Sequence, residues 1–147
     1  MARRRTTGGG MSWTLNPDSG GVKIPPDVQE RTRQRILAHA EKHYKGKYTR
    51  LDIRFRGQCC YIDAYREPDV PKNWPPKDWK LDRDMYVEQL RNTPTHLCRL
   101  RYFGGDRWSL AFYKYSDDKY ELCVFHNGDF FGTPEEGLDV GAVYLNE

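Results

Sequence analysis

Asp63, His96 and His126 are the residues from which catalysis could be assembled. A carboxylate and two imidazoles can hold and move protons once the chain brings them within hydrogen-bond reach. Each stands near the end of a segment with strand-like alternation, and strand ends often converge. They are the candidate catalytic residues, and an enzyme with a site at strand ends is one reading of the chain. No nucleophile is tied to them by spacing. Gly104-Gly105 opens onto another strand pattern, not a helix, so it reads as a hairpin turn and not as a phosphate cradle.

His39 and His43 lie four apart, a spacing that can hold zinc on one helix face. Helical zinc proteases place Glu directly after the first His to act as base. Here that position is Ala40, and no third ligand follows. The pair reads as surface histidines, and neither a metal nor a cofactor is expected. Cys59, Cys60, Cys98 and Cys123 form no CxxC pair. They read as free thiols filling strand positions.

A second chemistry needs no reaction. Arg54, Arg56, Tyr61, Tyr65, Arg99, Arg101, Tyr113 and Tyr115, with Phe125, fall on the outward side of the alternating segments. Arginines interleaved with aromatic rings suit protein interfaces. They also suit single-stranded nucleic acid, where cations meet phosphates and rings meet bases. A further basic set, Arg31, Arg35, Lys42 and Lys45, shares one side of a helical stretch and is a candidate contact for polyanions, together with Arg3–Arg5.

These residues need elements to hold them. Pro25-Pro26 blocks an earlier helix start, and Asp27 with Glu30 reads as a capping box. The spacing predicts a helix over 27–44, with Ile36, Leu37, Ala40 and Tyr44 inward, Arg33 snorkelling past the core edge, and Gly46 as its stop. Leu51, Ile53 and Phe55 alternate with charged residues, as do Cys60, Ile62 and Ala64 with Tyr61 and Asp63, giving a hairpin around Gly57. Residues 66–95 are rich in Pro and Trp, so sheet cannot run through them. A short helix is expected near Arg83–Arg91. A connection of this length is long for one domain and marks a functional or mobile segment.

Three more strands follow, at "THLCRLRYF", "RWSLAFYKY" and "YELCVFH". Their inward sets are Cys98, Leu100 and Tyr102; Trp108, Leu110 and Phe112; and Tyr120, Leu122 and Val124. Thr133-Pro134-Glu135-Glu136 has the cap, the first-turn proline and the reciprocal glutamate of a helix start. Leu138, Ala142 and Leu145 then repeat at helical spacing. Gly137 and Gly141 would let this helix approach the sheet closely. The expected architecture is α+β: an antiparallel sheet of about five strands, made of a hairpin, a long loop and a three-stranded meander. An N-terminal and a C-terminal helix pack on one face.

Totals set the outer limits. At 147 residues and 17.3 kDa, the chain suits one domain, placed at 24–147 behind a basic, Gly-rich disordered tail over 1–23. Net charge is +3 but uneven: residues 1–50 are basic, 51–93 balanced and 94–147 acidic. Any polyanion would meet the first third. No apolar run is long enough for a bilayer, so no membrane association is expected. Arg3–Arg5 leads into Thr and Gly and not into an apolar stretch, so a reducing cytoplasmic location is expected.

The favoured reading is a small non-catalytic binding module. It would use its Arg/Tyr-rich sheet face and the 66–95 loop for a protein partner or self-association. A nucleic-acid-binding protein is the alternative, and the strand-end enzyme the second.

Overall fold

The computed structural model describes residues 16–146. Residues 1–15 of the tail expected over 1–23, with Arg3–Arg5, lie outside the described residues. The elements run α1 (Pro26–His43), β1 (Arg50–Arg56), β2 (Cys59–Tyr65), α2 (Arg83–Arg91), β3 (Thr95–Tyr102), β4 (Trp108–Lys114), β5 (Lys119–Cys123), β6 (Phe131–Gly132) and α3 (Pro134–Gly141). A 3-10 turn, Ala142–Asn146, continues α3.

Alternation builds the sheet as expected. Strands β1 to β5 lie in chain order, each antiparallel to the next, and short β6 adds to β4. Register sets Ile53 beside Ile62, Ile62 beside Cys98, and Leu100 beside Leu110. These residues face α1 and α3 and are buried, as are Tyr102 and Trp108. The fold is α+β, with both terminal helices on this one face.

The start of α1 corrects one detail. Pro25 is the N-cap, with no side-chain cap bond, and Pro26 takes the first turn. Asp27 therefore sits inside the helix, where its charge favours the dipole, and Glu30 accepts from Gln34 instead. The inward row is Val28, Thr32, Ile36 and Ala40, spaced by four, and Leu37 is exposed. Arg33 stays at the core edge: Nη1 donates to the Ile53 carbonyl at 2.8 Å, and the guanidinium lies 5.2 Å from the Phe55 ring centre.

Strand β5 corrects another. Its register places Cys123 opposite Leu110 and Tyr120 opposite Tyr113. Cys123 thus lies on the helix side, and Tyr120 and Leu122 join the second face. Both parities of "YELCVFH" carry apolar atoms, so alternation alone does not choose. The turn before it chooses, with Asp118 at φ 53, and register fixes the face of every side chain. Phe125, expected outward, is buried against Gly132.

The helix start at α3 forms as expected. Thr133 N–H donates to Glu136 Oε1 at 2.9 Å, and Glu136 N–H donates to Thr133 Oγ1 at 3.3 Å. Two polar ties then lock α3 to α1. Arg35 donates to Glu135 at 2.6 and 2.9 Å and to Asp106 at 2.7 and 3.1 Å. Asp139 accepts from Tyr44 Oη at 2.6 Å and pairs with His39 Nε2 at 2.7 Å.

Arg35→Ala removes a clamp joining two helices and the β3–β4 turn, and leaves two carboxylates facing each other. The clamp is partly solvated, so the expected loss is about 1–2 kcal/mol by urea denaturation at neutral pH. Burial acts to raise the Glu135 carboxyl, but the hydrogen bonds from Arg35, a backbone N–H and the Arg35 charge together outweigh it and hold it below its ordinary value. A lowered folded value means full stabilisation at neutral pH, lost as pH falls through that value. Wild type is therefore expected to lose part of its margin over the variant in acid. An unchanged difference at neutral and acid pH contradicts this.

Candidate functional site

The second sheet face carries the polar cluster. Asp63 is opposite His96 because the ladder slips by one residue between Ile62 and Asp63. That bulge at Leu97 turns His96 away from the helices. Asp63 is buried, at 3 % exposure, and its charge is met by two partners. Arg54 Nη2 donates at 2.8 Å, and His96 Nδ1 lies at 2.9 Å. A buried carboxylate is tolerable only when paired in this way.

Rings surround His96. Its centre is 4.5 Å from Tyr113; Tyr113 lies 4.8 Å from Tyr115 and 5.1 Å from Tyr120; Tyr120 lies 5.6 Å from Tyr61. The His96 N–H donates to Tyr115 Oη at 2.7 Å. Burial, then the nearby Asp63 charge, raises the Tyr120 phenol above its ordinary value. The result is a continuous tyrosine platform, fixed from below by Asp63. Tyr65 stands apart from it, under the Arg50 guanidinium at 4.1 Å, and Arg56 is exposed at the sheet edge.

The arginines of this face are largely engaged. Arg54 is shared between Asp63 and Asp52. Residues 16–24 form a strap across β3 and β4. Val22 N–H donates to the Tyr102 carbonyl at 2.9 Å, Ile24 N–H to Gly57 at 3.1 Å, and Ser109 Oγ to Pro17 at 2.5 Å. Arg101 donates to the Gly20 carbonyl at 3.0 Å, and Arg99 faces Asp18 at 3.7 Å. Beneath this strap the Nε atoms of both arginines are buried without a hydrogen-bond partner among the described residues. Gly21 makes the close pass: at φ +89, an added Cβ would stand 2.4 Å from the Tyr102 carbonyl. Part of the stretch expected as tail is thus laid on the domain.

The other basic set disperses as well. Arg35 is clamped, Arg31 and Lys45 make loose pairs with Asp27 and Glu41 one helical turn away, and Lys42 is exposed. Alternation predicts which side a strand arginine takes. It is blind to carboxylates that arrive from distant turns.

The candidate catalytic residues separate. Asp63 and His96 meet, but His126 lies past the Cys123 end of β5, beside the Trp108 end of β4. His96 sits with Tyr113 and Tyr115 at the opposite end of that strand. Asp63 holds His96 by Nδ1, an arrangement that fixes an imidazole. None of the three residues lines either cleft described below. His39 and His43 lie with ring centres 4.5 Å apart, but His39 is spent on Asp139, and no group of three metal-binding side chains occurs among the described residues.

Residues 66–95 form a lobe at the end of the sheet. It has real local order: Asp82 caps α2 through the Met85 N–H at 2.9 Å, and Arg83 donates to the carbonyls of Pro71 (2.7 Å) and Trp74 (2.6 Å). Yet it contains no buried side chain. Trp74, Trp79, Met85 and Leu90 are all exposed, at 37–56 %. Between lobe and sheet runs a cleft of about 800 Å³, walled by Tyr48, Tyr115, Tyr144, Leu90 and Pro94. Tyr115 joins this cleft to the tyrosine platform. A second cleft of about 520 Å³ continues from it and shares Pro68 and Asp69. Sequence reasoning marked the loop but missed the cleft, because Tyr48 and Tyr115 come from two separate connections and Tyr144 from the 3-10 turn after α3.

Three of the four thiols are disfavoured as thiolates by burial. Burial pushes Cys60 up to about 12 and Cys123 up to about 11, and holds Cys98 well above its ordinary value. A thiol with a raised value stays protonated near neutrality and does not attack. The folded protein is expected to resist alkylation by iodoacetamide near pH 7.5, with all four thiols reacting in denaturant. Fast labelling of Cys60, Cys98 or Cys123 without denaturant, read by mass spectrometry, contradicts this. Among the described residues, no helix is long and apolar enough to cross a membrane. No family model matches the chain, and no curated protein or solved structure matches it significantly.

Proposed function

We propose that the protein is a non-catalytic binding module. Its docking surface is the 66–95 lobe with the adjoining tyrosine cleft, and its partner is a protein. One observation carries the reading: an ordered segment holds four large apolar side chains in solvent and buries none. Ordering a segment costs conformational entropy, and burial normally offsets it. A cluster of exposed Trp, Met and Leu beside a concave aromatic wall is the composition of an interface core. The lobe does not close over the tyrosine platform; Tyr115 stays 46 % exposed.

A protein partner is favoured over nucleic acid because four of the arginines singled out for phosphate contact are already engaged. Arg35, Arg54, Arg99 and Arg101 each face a carboxylate or a carbonyl of the same chain. Phosphate contact requires free cations.

The test is affinity capture with Trp74→Ala/Trp79→Ala beside wild type. Both rings lie outside the core, so stability is expected to change by less than about 0.5 kcal/mol. Recovery of the bound protein is expected to fall at least about tenfold, the scale of losing interface aromatics. Equal recovery by the folded variant removes the lobe as the docking surface. A gel shift at low salt with single- or double-stranded probes would revive the nucleic-acid reading.

A further inference from the structure

Arg99 is a cation without an acceptor. Its side chain is 18 % exposed, yet its guanidinium makes no hydrogen bond among the described residues. The carboxylate facing it, Asp18, stands 3.7 Å from Nη2, too far to accept one. The Tyr120 ring centre lies 5.4 Å from the guanidinium carbon. Asp52 and Asp63, the other carboxylates of this sheet face, are both on Arg54, and Asp63 also holds His96. Two residues along β3, Arg101 reaches one acceptor, the Gly20 carbonyl, and its Nε is unpaired. A guanidinium offers five donors. Donors buried without acceptors are costly, and a ligand that supplies acceptors removes the cost.

The strap lies over this pair and is lightly held. No side chain from residue 16 to 23 is buried, so apolar contact contributes little before Ile24. Segments with few buried contacts open at low cost. The strap's backbone shows what fits there. Arg101 takes the Gly20 carbonyl, Ser109 Oγ takes the Pro17 carbonyl, and the Val22 N–H reaches the Tyr102 carbonyl. Only the carboxylate is misplaced. Asp18 sits in a turn, with its own N–H on Asn16 Oδ1 at 2.9 Å and the Ser19 N–H on the Asn16 carbonyl at 3.3 Å. That turn holds the short side chain back from Arg99.

We propose that Arg99 and Arg101 form a binding site for an extended acidic peptide, and that the strap is its displaceable cover. The two arginines leave one face of β3 two residues apart, about 7 Å along the strand. An extended peptide sets alternate side chains at the same interval, so carboxylates at i and i+2 meet both guanidiniums. Each carboxylate can bridge Nε and one Nη of its arginine, the side-on pairing that guanidinium geometry favours. A peptide is favoured over a phosphodiester because peptide carbonyls already lie on Arg101 and Ser109. The site stands apart from the lobe, since neither arginine and no residue of the strap lines either cleft. It is a second contact for a protein partner and does not rest on the first.

Fluorescence anisotropy at low salt, with full-length protein and a labelled peptide of alternating glutamate and serine, tests this. Wild type is expected to bind. Asp18→Asn removes the competing carboxylate and is expected to tighten binding about threefold or more. Asp27→Asn makes the same charge change at an exposed position on α1 and is expected to do less. Asp18→Glu adds one methylene, which lets the strap's own carboxylate reach Arg99. It is expected to weaken peptide binding about fivefold and to slow amide exchange at Val22. Arg99→Gln is expected to weaken binding about tenfold or more. Asp18 is 57 % exposed, so its variants are expected to stay folded by circular dichroism and carry the test independently of Arg99→Gln. No binding by either wild type or Asp18→Asn overturns the proposal. Binding that ignores the Asp18 and Arg99 variants overturns it as well. A single-stranded oligonucleotide that follows these variants where the peptide does not overturns the peptide in favour of phosphate. Trp74→Ala/Trp79→Ala is expected to leave peptide binding unchanged; a loss there places the peptide on the lobe and overturns this site.

Discussion

Gly141→Val is expected to destabilise the protein by about 3 kcal/mol or more, among the largest effects of any single substitution. A Cβ at this position would lie 2.8 Å from the Leu97 carbonyl oxygen and 3.0 Å from its carbon. Those are backbone atoms of the β3 bulge, and they cannot rotate away. Replacing Gly in a helix ordinarily gains up to about 1 kcal/mol, so propensity predicts the opposite sign. Contact wins because α3 is held down at both ends, by Arg35 on Glu135 and by Tyr44 and His39 on Asp139. Gly137→Ala is the comparison. Its nearest neighbour is a side-chain atom, Leu100 Cδ2 at 2.6 Å, which has some freedom to repack, so the loss is expected to be smaller. Urea denaturation of both variants decides. A Gly141 variant as stable as wild type contradicts the close approach of α3 to the sheet.

Ile24→Ala carries the second large effect. Ile24 is fully buried at the end of the strap, its N–H bonded to Gly57 and its carbonyl accepting from Gln29. Truncating a buried isoleucine costs about 2–5 kcal/mol, and about 3 kcal/mol is expected here. The effect is also expected to be local. With its anchor gone, the strap loosens, and the amide of Val22 exchanges with solvent faster than in wild type. Val22→Ala is the control, since Val22 is already half exposed. Hydrogen exchange that stays slow at Val22 in the Ile24 variant contradicts the anchoring role.

The fold was legible because it is written in periodicity. Leu51 to Phe55 and Cys98 to Tyr102 alternate without ambiguity, and Thr133 to Glu136 is a helix start in any context. Misreadings came where two choices had similar local character. Tyr120 and Cys123 both accept burial, and a turn with one left-handed residue settled the matter. Asp27 looked like a cap, but two prolines moved the boundary upstream.

The site was less legible, for a different reason. Alternation told which arginines face away from the helices. It could not tell that Asp63 and Asp18 would arrive beside Arg54 and Arg99, nor could helical spacing tell that Asp106 and Glu135 would reach Arg35 on α1, from 9 to 100 residues away. The Asp63–His96 contact depended on a bulge at Leu97, which turns an even-numbered residue onto the odd-numbered face. The lobe was marked by its prolines and tryptophans, and its exposure follows from composition: "PKNWPPKDWK" offers no stripe that a sheet or helix could bury.

The central claim is that the lobe serves a partner and not the fold. Replacing residues 71–80 by a Gly/Ser segment of equal length tests both halves at once. Thermal unfolding is predicted to stay within a few degrees of wild type, since no residue of the segment belongs to the core. Capture of the bound protein is predicted to be lost. A collapse in thermal stability would show that the segment holds the domain together, and unchanged capture by a folded variant would show that partners bind elsewhere.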